Sequence, residues 1–577
     1  MSIPSIGKEL AFMYREEHPN PQFYREEWKN LNGEWDFEFD FGVSGKERGL
    51  YKQEEFSRRI AVPFCPESKL SGIEYRDFMN CVWYRRSFEV PEEWRASGRV
   101  FLHFGAVDYR ATVYINQKEA GTHIGGYTPF QFDITDALIE GVNCICVCAE
   151  DDNRQGRQPR GKQAEGFASS GCDYTRTTGI WQTVWLEHTP DSYIEGFRFY
   201  PDVRNGRLLF EVRTRGSEEL AVAASYQGRL MGQAFLSSDA GTVRGEIKLS
   251  EKHLWEPGEG RLYDVELRYG EDTVRSYFGL REIKMDGFRF LLNGKSVFQR
   301  LVLDQGFFED GIYTAPSEEA LSRDIRLSLD AGFNGARLHQ KVFEPLFLYH
   351  CDRMGYLVWG EFPSWGLDIS RPEALPSYLS QWGEVLDRDF NHPSIIGWCP
   401  FNETWDYRGK RQWDELISSV YYRTKAADDT RPCIDTSGHY HVVTDIFDVH
   451  DYEQDPEVFG ARFRKLAEGK IENFANDRQT YNGEPVFVSE YGGIRRAADR
   501  EKGWGYGESP EDDEAFLKRY EGLTVTLLEN PYIFGFCYTQ LYDIEQEVNG
   551  LYTYAREPKF EMARIRAVNE RKAAIEE

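Results

Sequence analysis

The stretches IIGWCPFNE (395–403) and VFVSEYGG (486–493) decide the reading of the fold: each is a short apolar run, too short for a buried helix, that carries a Glu at or near its end. Six further runs of the same kind lie around them: VFQRLVL (297–303), GARLH (335–339), LVWGEFP (357–363), CIDTSG (433–438), IFDVHDY (446–452) and IFGFCYTQL (533–541). Helical patterns fall between most of these runs. The clearest starts after Ser317, a plausible N-cap followed by Glu318 and Glu319, repeats Leu321, Ile325 and Leu329 on one face, and stops at Gly332. Eight strands alternating with helices over residues 297 to 541, 245 in all, match the roughly 250 residues of an eight-fold β/α barrel.

Upstream the pattern is different. From Trp35 to Glu187 short alternating runs such as CVWYRRSFEV (81–90), ATVYINQK (111–118) and NCICVCAE (143–150) are separated by turn residues, which predicts a β-sandwich or jelly roll. A second all-β pattern over 191–282, in six or seven short strands, suits an immunoglobulin-like sandwich. The expected fold class is therefore multidomain: two all-β sandwich domains, a jelly roll (1–190) and then an immunoglobulin-like domain (191–282), followed by a (β/α)8 barrel (283–577). Between the jelly-roll strands, DDNRQGRQPRGKQAEGFASSGCDYTR (151–176) is polar, Gly-rich and far too long for a hairpin turn, and loops of that length are often functional.

The 577 residues carry a formal charge of −27, which disfavours nucleic acid or an acidic membrane surface as partner, because such binding needs Lys and Arg to neutralise phosphates. Aromatic residues, at 15%, suit both large β-rich cores and flat surfaces for stacking on sugars. The first twenty residues lack the apolar run of a signal peptide, and no segment has the 18 or more uncharged apolar residues of a membrane helix. The ten cysteines form no C-x-x-C pair, and Cys144, Cys146 and Cys148 alternate at strand period, so a cytoplasmic protein with reduced thiols is expected. A homo-oligomer is left open.

In a barrel of this kind the site is built at the C-terminal ends of the strands. Glu403 ends the fourth run and Glu490 lies near the end of the seventh, 87 residues apart, or three β/α modules, which sets them across the mouth from each other. Two carboxylates flanking a bond are what glycoside hydrolysis uses. Other strand ends add Asp304, Arg337, His339, Glu361, Asp435, His450, Asp451 and Tyr452, and a cation such as Arg337 beside one carboxylate would keep it ionised. Two rival readings exist. A metal-dependent barrel hydrolase would use His439 and His441 with His339, His450 and Asp451, but that H-x-H lies beyond the fifth strand and the first strand offers no matching pair. The other is a non-catalytic carbohydrate-binding protein.

Over nearly its whole length the chain resembles glycoside hydrolase family 2, the group of β-galactosidases, β-glucuronidases and β-mannosidases. The resemblance is carried by LNGEWDF (31–37), VWYRRSF (82–88), VDYRATVYIN (107–116), YTRTTGIWQTVWLE (174–187), GFNGARLH (332–339), FLYHCDRMGYLVWGE (347–361), NHPSIIGWCPFNE (391–403) and VSEYGG (488–493). It implies a retaining exo-β-glycosidase with Glu403 as acid/base and Glu490 as nucleophile, Asn402 on the sugar 2-hydroxyl, and Arg337 and Tyr452 on the nucleophile. Four departures bear on substrate and metal. The Asn-x-Lys that pairs with the sugar carboxylate in the family's glucuronidases has no counterpart in EVNGLYTYAREPK (547–559), which points toward a β-galactosidase-like specificity, with β-glucuronidase, β-mannosidase or a pentosidase as alternatives. The strand-eight Trp of many members is replaced, with Tyr538 or Gln540 expected in its place, and LDQGFF after the first strand leaves Asp304 as a divergent sugar contact. Glu361 is kept without the His of metal-binding members, so neither metal nor cofactor is expected. The expected substrate-binding set is Asn402, Arg337, Asp304, His339, Tyr452, Glu361 and Tyr538, acting on a small glycoside or oligosaccharide.

Overall fold

The computed structural model describes residues 15–237, 241–405, 409–471, 474–497 and 503–576. Its first part is two antiparallel sheets face to face. One has four strands, in the order Trp28–Asn30, Val184–Thr189, Arg99–Phe104 and Phe130–Asp133; the other has six, with Cys81–Glu89 and Val142–Glu150 at its centre. Period-two alternation sends Ile145 and Val147 into the core between the sheets, with Trp35, Tyr84 and Leu186, while Cys146 and Cys148 face the other way against Trp83 and Tyr114. Cys81 Sγ and Cys148 Sγ lie 3.5 Å apart as thiols. The second part pairs a three-stranded with a four-stranded sheet around Phe199, Phe210, Val222 and Leu267.

The third part is the barrel. Its strands are β1 (Gln299–Asp304), β2 (Gly335–Leu338), β3 (Leu357–Glu361), β4 (Ile395–Cys399), β5 (Thr436–Ser437), β6 (Phe447–Asp451), β7 (Val486–Gly492) and β8 (Ile533–Thr539). Seven of them form one parallel sheet in the order β4-β3-β2-β1-β8-β7-β6. At the fifth position β5 pairs in parallel with Phe401–Asn402, the continuation of β4, and below it Cys433 bridges Trp398 of β4, with the Ile434 N–H on the Trp398 carbonyl at 2.9 Å, so the run closes the wall beside β4. Most strands are buried along their whole length, as a parallel sheet covered on both faces requires.

Helices α1 (Glu318–Asp330), α2 (Pro345–Met354), α3 (Ala374–Asp389), α4 (Asp414–Ala427), α5 (Pro456–Arg464), α6 (Asp513–Leu528) and α7 (Met562–Asn569) form the outer layer. The start of α1 is fixed as its sequence suggests: Ser317 Oγ accepts the Ala320 N–H at 3.2 Å, and Leu321 and Ile325 are buried. Among the described residues no helix is long and apolar enough to cross a membrane.

Candidate active site

β7 shows how the barrel aims a carboxylate. Glu490 points into the mouth and its neighbour Tyr491 points outward, where its ring packs against Tyr538 and its hydroxyl meets Thr524 of α6. Both oxygens of Glu490 are held: Oε1 accepts from Arg337 Nη1 at 3.0 Å, and Oε2 accepts from the Tyr452 hydroxyl, whose ring stacks on Tyr506.

Glu403 is delivered differently. It follows Phe401–Asn402 and takes a left-handed backbone, φ +45°, that an L residue adopts at a cost of about 1–2 kcal/mol. The conformation is pinned by its N–H bond to the Ser437 carbonyl at 2.8 Å and by the Trp405 N–H on its own carbonyl at 2.8 Å. The turn brings Glu403, His450 and Glu490 together, with one ligating atom of each inside a 4.8 Å span.

Arg337 on β2 organises what lies beneath. Its guanidinium is buried and all five N–H donors are used: Nη1 on Glu490 and the Ser489 carbonyl (2.7 Å), Nη2 on Glu361 (2.8 Å) and Asn402 Oδ1 (2.8 Å), and Nε on Glu361 (3.2 Å). Because Asn402 Oδ1 faces Arg337, its Nδ2 is turned away, buried and without a protein partner, a donor waiting for an acceptor in the mouth.

His450 sits between the carboxylates, with Nδ1 2.8 Å from Glu403 and Nε2 3.5 Å from Glu490. Burial lowers its pKa, but the Glu490 and Glu403 charges outweigh that and raise it, so the ring is held protonated. Burial would raise the Glu490 carboxyl. The charges of His450, Arg337 and His339 and the Tyr452 hydroxyl together hold it well below the usual carboxylate range. One member of the pair is thus a fixed anion. The other, Glu403, is hydrogen-bonded to the His450 imidazole.

Residues 28–190 match the family model described as "Glycosyl hydrolases family 2, sugar binding domain", and residues 283–571 match "Glycosyl hydrolases family 2, TIM barrel domain". The chain belongs to glycoside hydrolase family 2. Among curated proteins this family 2 hydrolase is 24% identical to a β-glucuronidase of Paenibacillus borealis, over 92% of its own length and 95% of the relative's. It is also 24% identical to the Homo sapiens β-glucuronidase, over 74% of its own length and 70% of the relative's. Among solved structures, the β-glucuronidase of Ruminococcus gnavus superposes with a TM-score of 0.80 at 20% identity, covering 96% of this chain and all of that one. An uncultured Clostridium sp. β-glucuronidase gives 0.79 at 22% identity, covering 95% and 98%.

In this family 2 enzyme the mouth is finished by the jelly roll. The 151–176 loop leaves its own sheet and docks on the barrel: the Arg160 and Gly161 N–H groups bond the Trp365 carbonyl at 2.7 and 3.2 Å, and Asp368 N–H bonds the Gly156 carbonyl at 2.9 Å. Gly161 is required there. Its φ is +58°, and a Cβ would lie 2.2 Å from the Gln340 carbonyl oxygen. Tyr174, at the far end of the loop, donates its hydroxyl to Glu547 and accepts from Gln305 Nε2 at 2.9 Å. Gln305 also bonds Gln540, and Gln540 in turn bonds Asn549, which donates to Glu547. Loop and barrel together enclose a cleft of about 500 Å3 whose lining includes Trp365, Asn402, Glu403 and Trp405 but not Glu490.

Several expected contacts fall elsewhere. Tyr538 is paired in register with Tyr491 and shares its outward direction, so its ring lies against Tyr520 of α6 and not in the mouth; strand alternation excludes it from substrate. Gln540, two residues on, is the strand-eight side chain that joins the polar network. Glu361 is wholly covered beneath Arg337 and His339, with Oε1 accepting the Gln340 N–H at 3.0 Å, so it anchors the arginine instead of meeting sugar. Asp304 is 2% exposed and accepts from the Tyr542 hydroxyl and the Gly306 N–H; burial and nearby Asp324 push its carboxyl up to about 6. The histidines of the metal reading do not converge: the sole cluster of three potential ligands among the described residues is Glu403, His450 and Glu490.

His441 is clamped between Asp435 (2.7 Å) and Asp448 (3.1 Å). Burial lowers its pKa, but these two carboxylates push it up to about 10. A raised histidine pKa contributes stability that is full below the unfolded value of about 6.5 and is lost as pH rises toward the folded value. Urea midpoints at pH 6 and pH 9 should therefore show wild type less stable at pH 9, with a smaller difference in His441→Gln.

Sequence reasoning missed Lys162, Glu547 and the bridging position of His450. The long polar loop and the divergent stretch after β8 were the signals that pointed to the first two.

Proposed function

We propose that this enzyme is a retaining exo-β-glycosidase that removes a terminal β-linked uronic acid, with 1–190 and 191–282 as supporting domains and 283–577 as the catalytic barrel. The observation that carries the reading is the Glu403–Glu490 pair. Their oxygens lie within 4.8 Å, in keeping with the roughly 5–5.5 Å of retaining enzymes and too close for the 6.5–9.5 Å that admits a water between carboxylates.

In this reading Glu490, kept ionised, attacks the anomeric carbon while Glu403 gives its proton to the glycosidic oxygen, so that the C1–O bond breaks as the C1–Oε bond forms. Glu403 lines the cleft and Glu490 does not, which supports a leaving group on the cleft side of the reacting carbon. Glu403, now a carboxylate, then takes a proton from water. That water attacks C1, releasing Glu490 and restoring the original configuration. The free Nδ2 of Asn402 is placed to donate to a sugar hydroxyl beside the reacting carbon, and Arg337 and Tyr452 fix the nucleophile.

The uronic acid, rather than the galactose favoured by the sequence, is supported by the names of the relatives, which are β-glucuronidases. Ten free cysteines, including the unbonded Cys81–Cys148 pair, support a reducing cytoplasmic setting. A panel of nitrophenyl β-glycosides tests the substrate: the glucuronide should exceed the galactoside in kcat/KM by on the order of 10²-fold or more, as a charged-group contact requires. A galactoside preference would reverse the assignment. In the same assay EDTA should leave the rate unchanged, and loss of activity would return the metal-hydrolase reading.

A further inference from the structure

Lys162 stands beside the mouth and the proposed chemistry does not use it. It stands on the docked part of the 151–176 loop, is 6% exposed, and holds its ammonium 4.1 Å over the ring of Trp365. Among the described residues its Nζ makes no hydrogen bond or ion pair. The backbone around it is clamped by the Trp365 carbonyl on one side and by its own carbonyl, which accepts the Tyr174 N–H at 2.7 Å, on the other. An ammonium held at the end of a buried side chain with no hydrogen-bond partner is placed to give an arriving anion a charge-assisted hydrogen bond.

Most of the neighbouring cations are committed. Arg337 has every donor engaged, Lys559 is paired with Asp543 at 2.8 Å, Lys410 with Asp368 at 2.5 Å, and Arg160 with Asp173 at 3.2 Å. Among the described residues Arg411, exposed on the cleft wall, has no ion pair either, but Lys162 is a buried cation left with neither hydrogen bond nor ion pair. It also lies beside the mouth: the Trp365 indole that its ammonium covers donates its Nε1–H to the Asn402 carbonyl at 3.0 Å and lines the cleft with Glu403. Burial lowers its pKa, but the surrounding negative groups outweigh that and raise it, so it stays protonated. Burial, partly countered by Lys162, pushes the Glu547 carboxyl up to about 7.

We propose that the Lys162 ammonium receives the carboxylate of the terminal uronic acid, so that selection for the anionic sugar is made by the jelly-roll loop rather than by the barrel. The proposal rests on the uronidase reading above. The test compares kcat/KM for nitrophenyl β-glucuronide and for its uncharged methyl ester in wild type, Lys162→Met, Lys162→Gln and Lys162→Arg, with each variant's fold checked by circular dichroism. Wild type should favour the acid. Both neutral variants should lose roughly 10²- to 10³-fold on the acid, as for truncating one partner of a buried charge pair, and the acid-to-ester ratio should fall toward one. Lys162→Arg should recover part of the ratio, which a merely structural role would not require. A wild type active on the acid, with a ratio unchanged in both neutral variants, overturns the role of Lys162 and leaves the uronidase reading standing. A wild type inactive on the acid overturns both.

Discussion

Glu490→Ala should lower turnover of a nitrophenyl β-glycoside by on the order of 10⁵-fold, the scale seen when a covalent nucleophile is removed. The reason lies in what replaces it. With the carboxylate gone, no group stands on that face of the anomeric carbon, and water enters a space from which Arg337 and Tyr452 still point. The same space admits a small anion. Added azide or formate should restore part of the turnover, and the azide product should be the α-glycosyl azide, because one displacement inverts where two restore. The protein should remain folded, since Arg337 keeps Glu361 as counter-charge and His450 keeps Glu403. Unchanged turnover in Glu490→Ala, or a β-configured azide, would exclude Glu490 as nucleophile.

Arg337→Met should be costly in a second way. The guanidinium neutralises two buried carboxylates, Glu361 and Glu490, and orients Asn402. Removing one member of a buried ionic network leaves uncompensated charge, with a typical cost of about 3–5 kcal/mol. Urea unfolding at pH 7 should show a loss on that scale. The pH dependence should change with it. A depressed carboxylate pKa contributes stability that is present above the unfolded value and lost as pH falls through the folded one. In wild type Glu490 titrates well below the usual range, so that loss comes only in strong acid. In Arg337→Met its pKa should rise toward ordinary values, and the acid limb of kcat/KM should move to higher pH. A variant with wild-type stability and an unmoved acid limb would show that His450 alone holds the nucleophile ionised.

Most of the architecture was legible because the forces that produce it are periodic. Short apolar runs alternating with amphipathic helices read as a barrel, and a charge at or near the end of such a run stood out because it is expensive there; that is why Glu403 and Glu490 could be singled out. Tyr538 could not be placed the same way. In IFGFCYTQL both faces of the strand are buried, so apolarity does not alternate and the sequence carries no sign of which residues face the mouth. Asp435 was misplaced for a related reason: it is not a strand-end group but the hub of a turn, accepting the Val442 and Val443 N–H groups and binding His441. Lys162 was invisible for the opposite reason. A lysine in a polar loop looks like any solvated charge until the loop is seen to fold over a barrel that begins more than a hundred residues later.

That docking, with Gly161 pressed on the Gln340 carbonyl and Tyr174 reaching Glu547, separates two kinds of inheritance in one molecule. The strands that hold the reacting carboxylates are locked by their neighbours and tolerate little change. The loop is buried and hydrogen-bonded over 158–164 and at Tyr174, and exposed or half-buried between them. If Lys162 reads the sugar as proposed, a change of preferred glycoside needs substitutions in the loop alone and leaves the strands that carry Glu403 and Glu490 as they are.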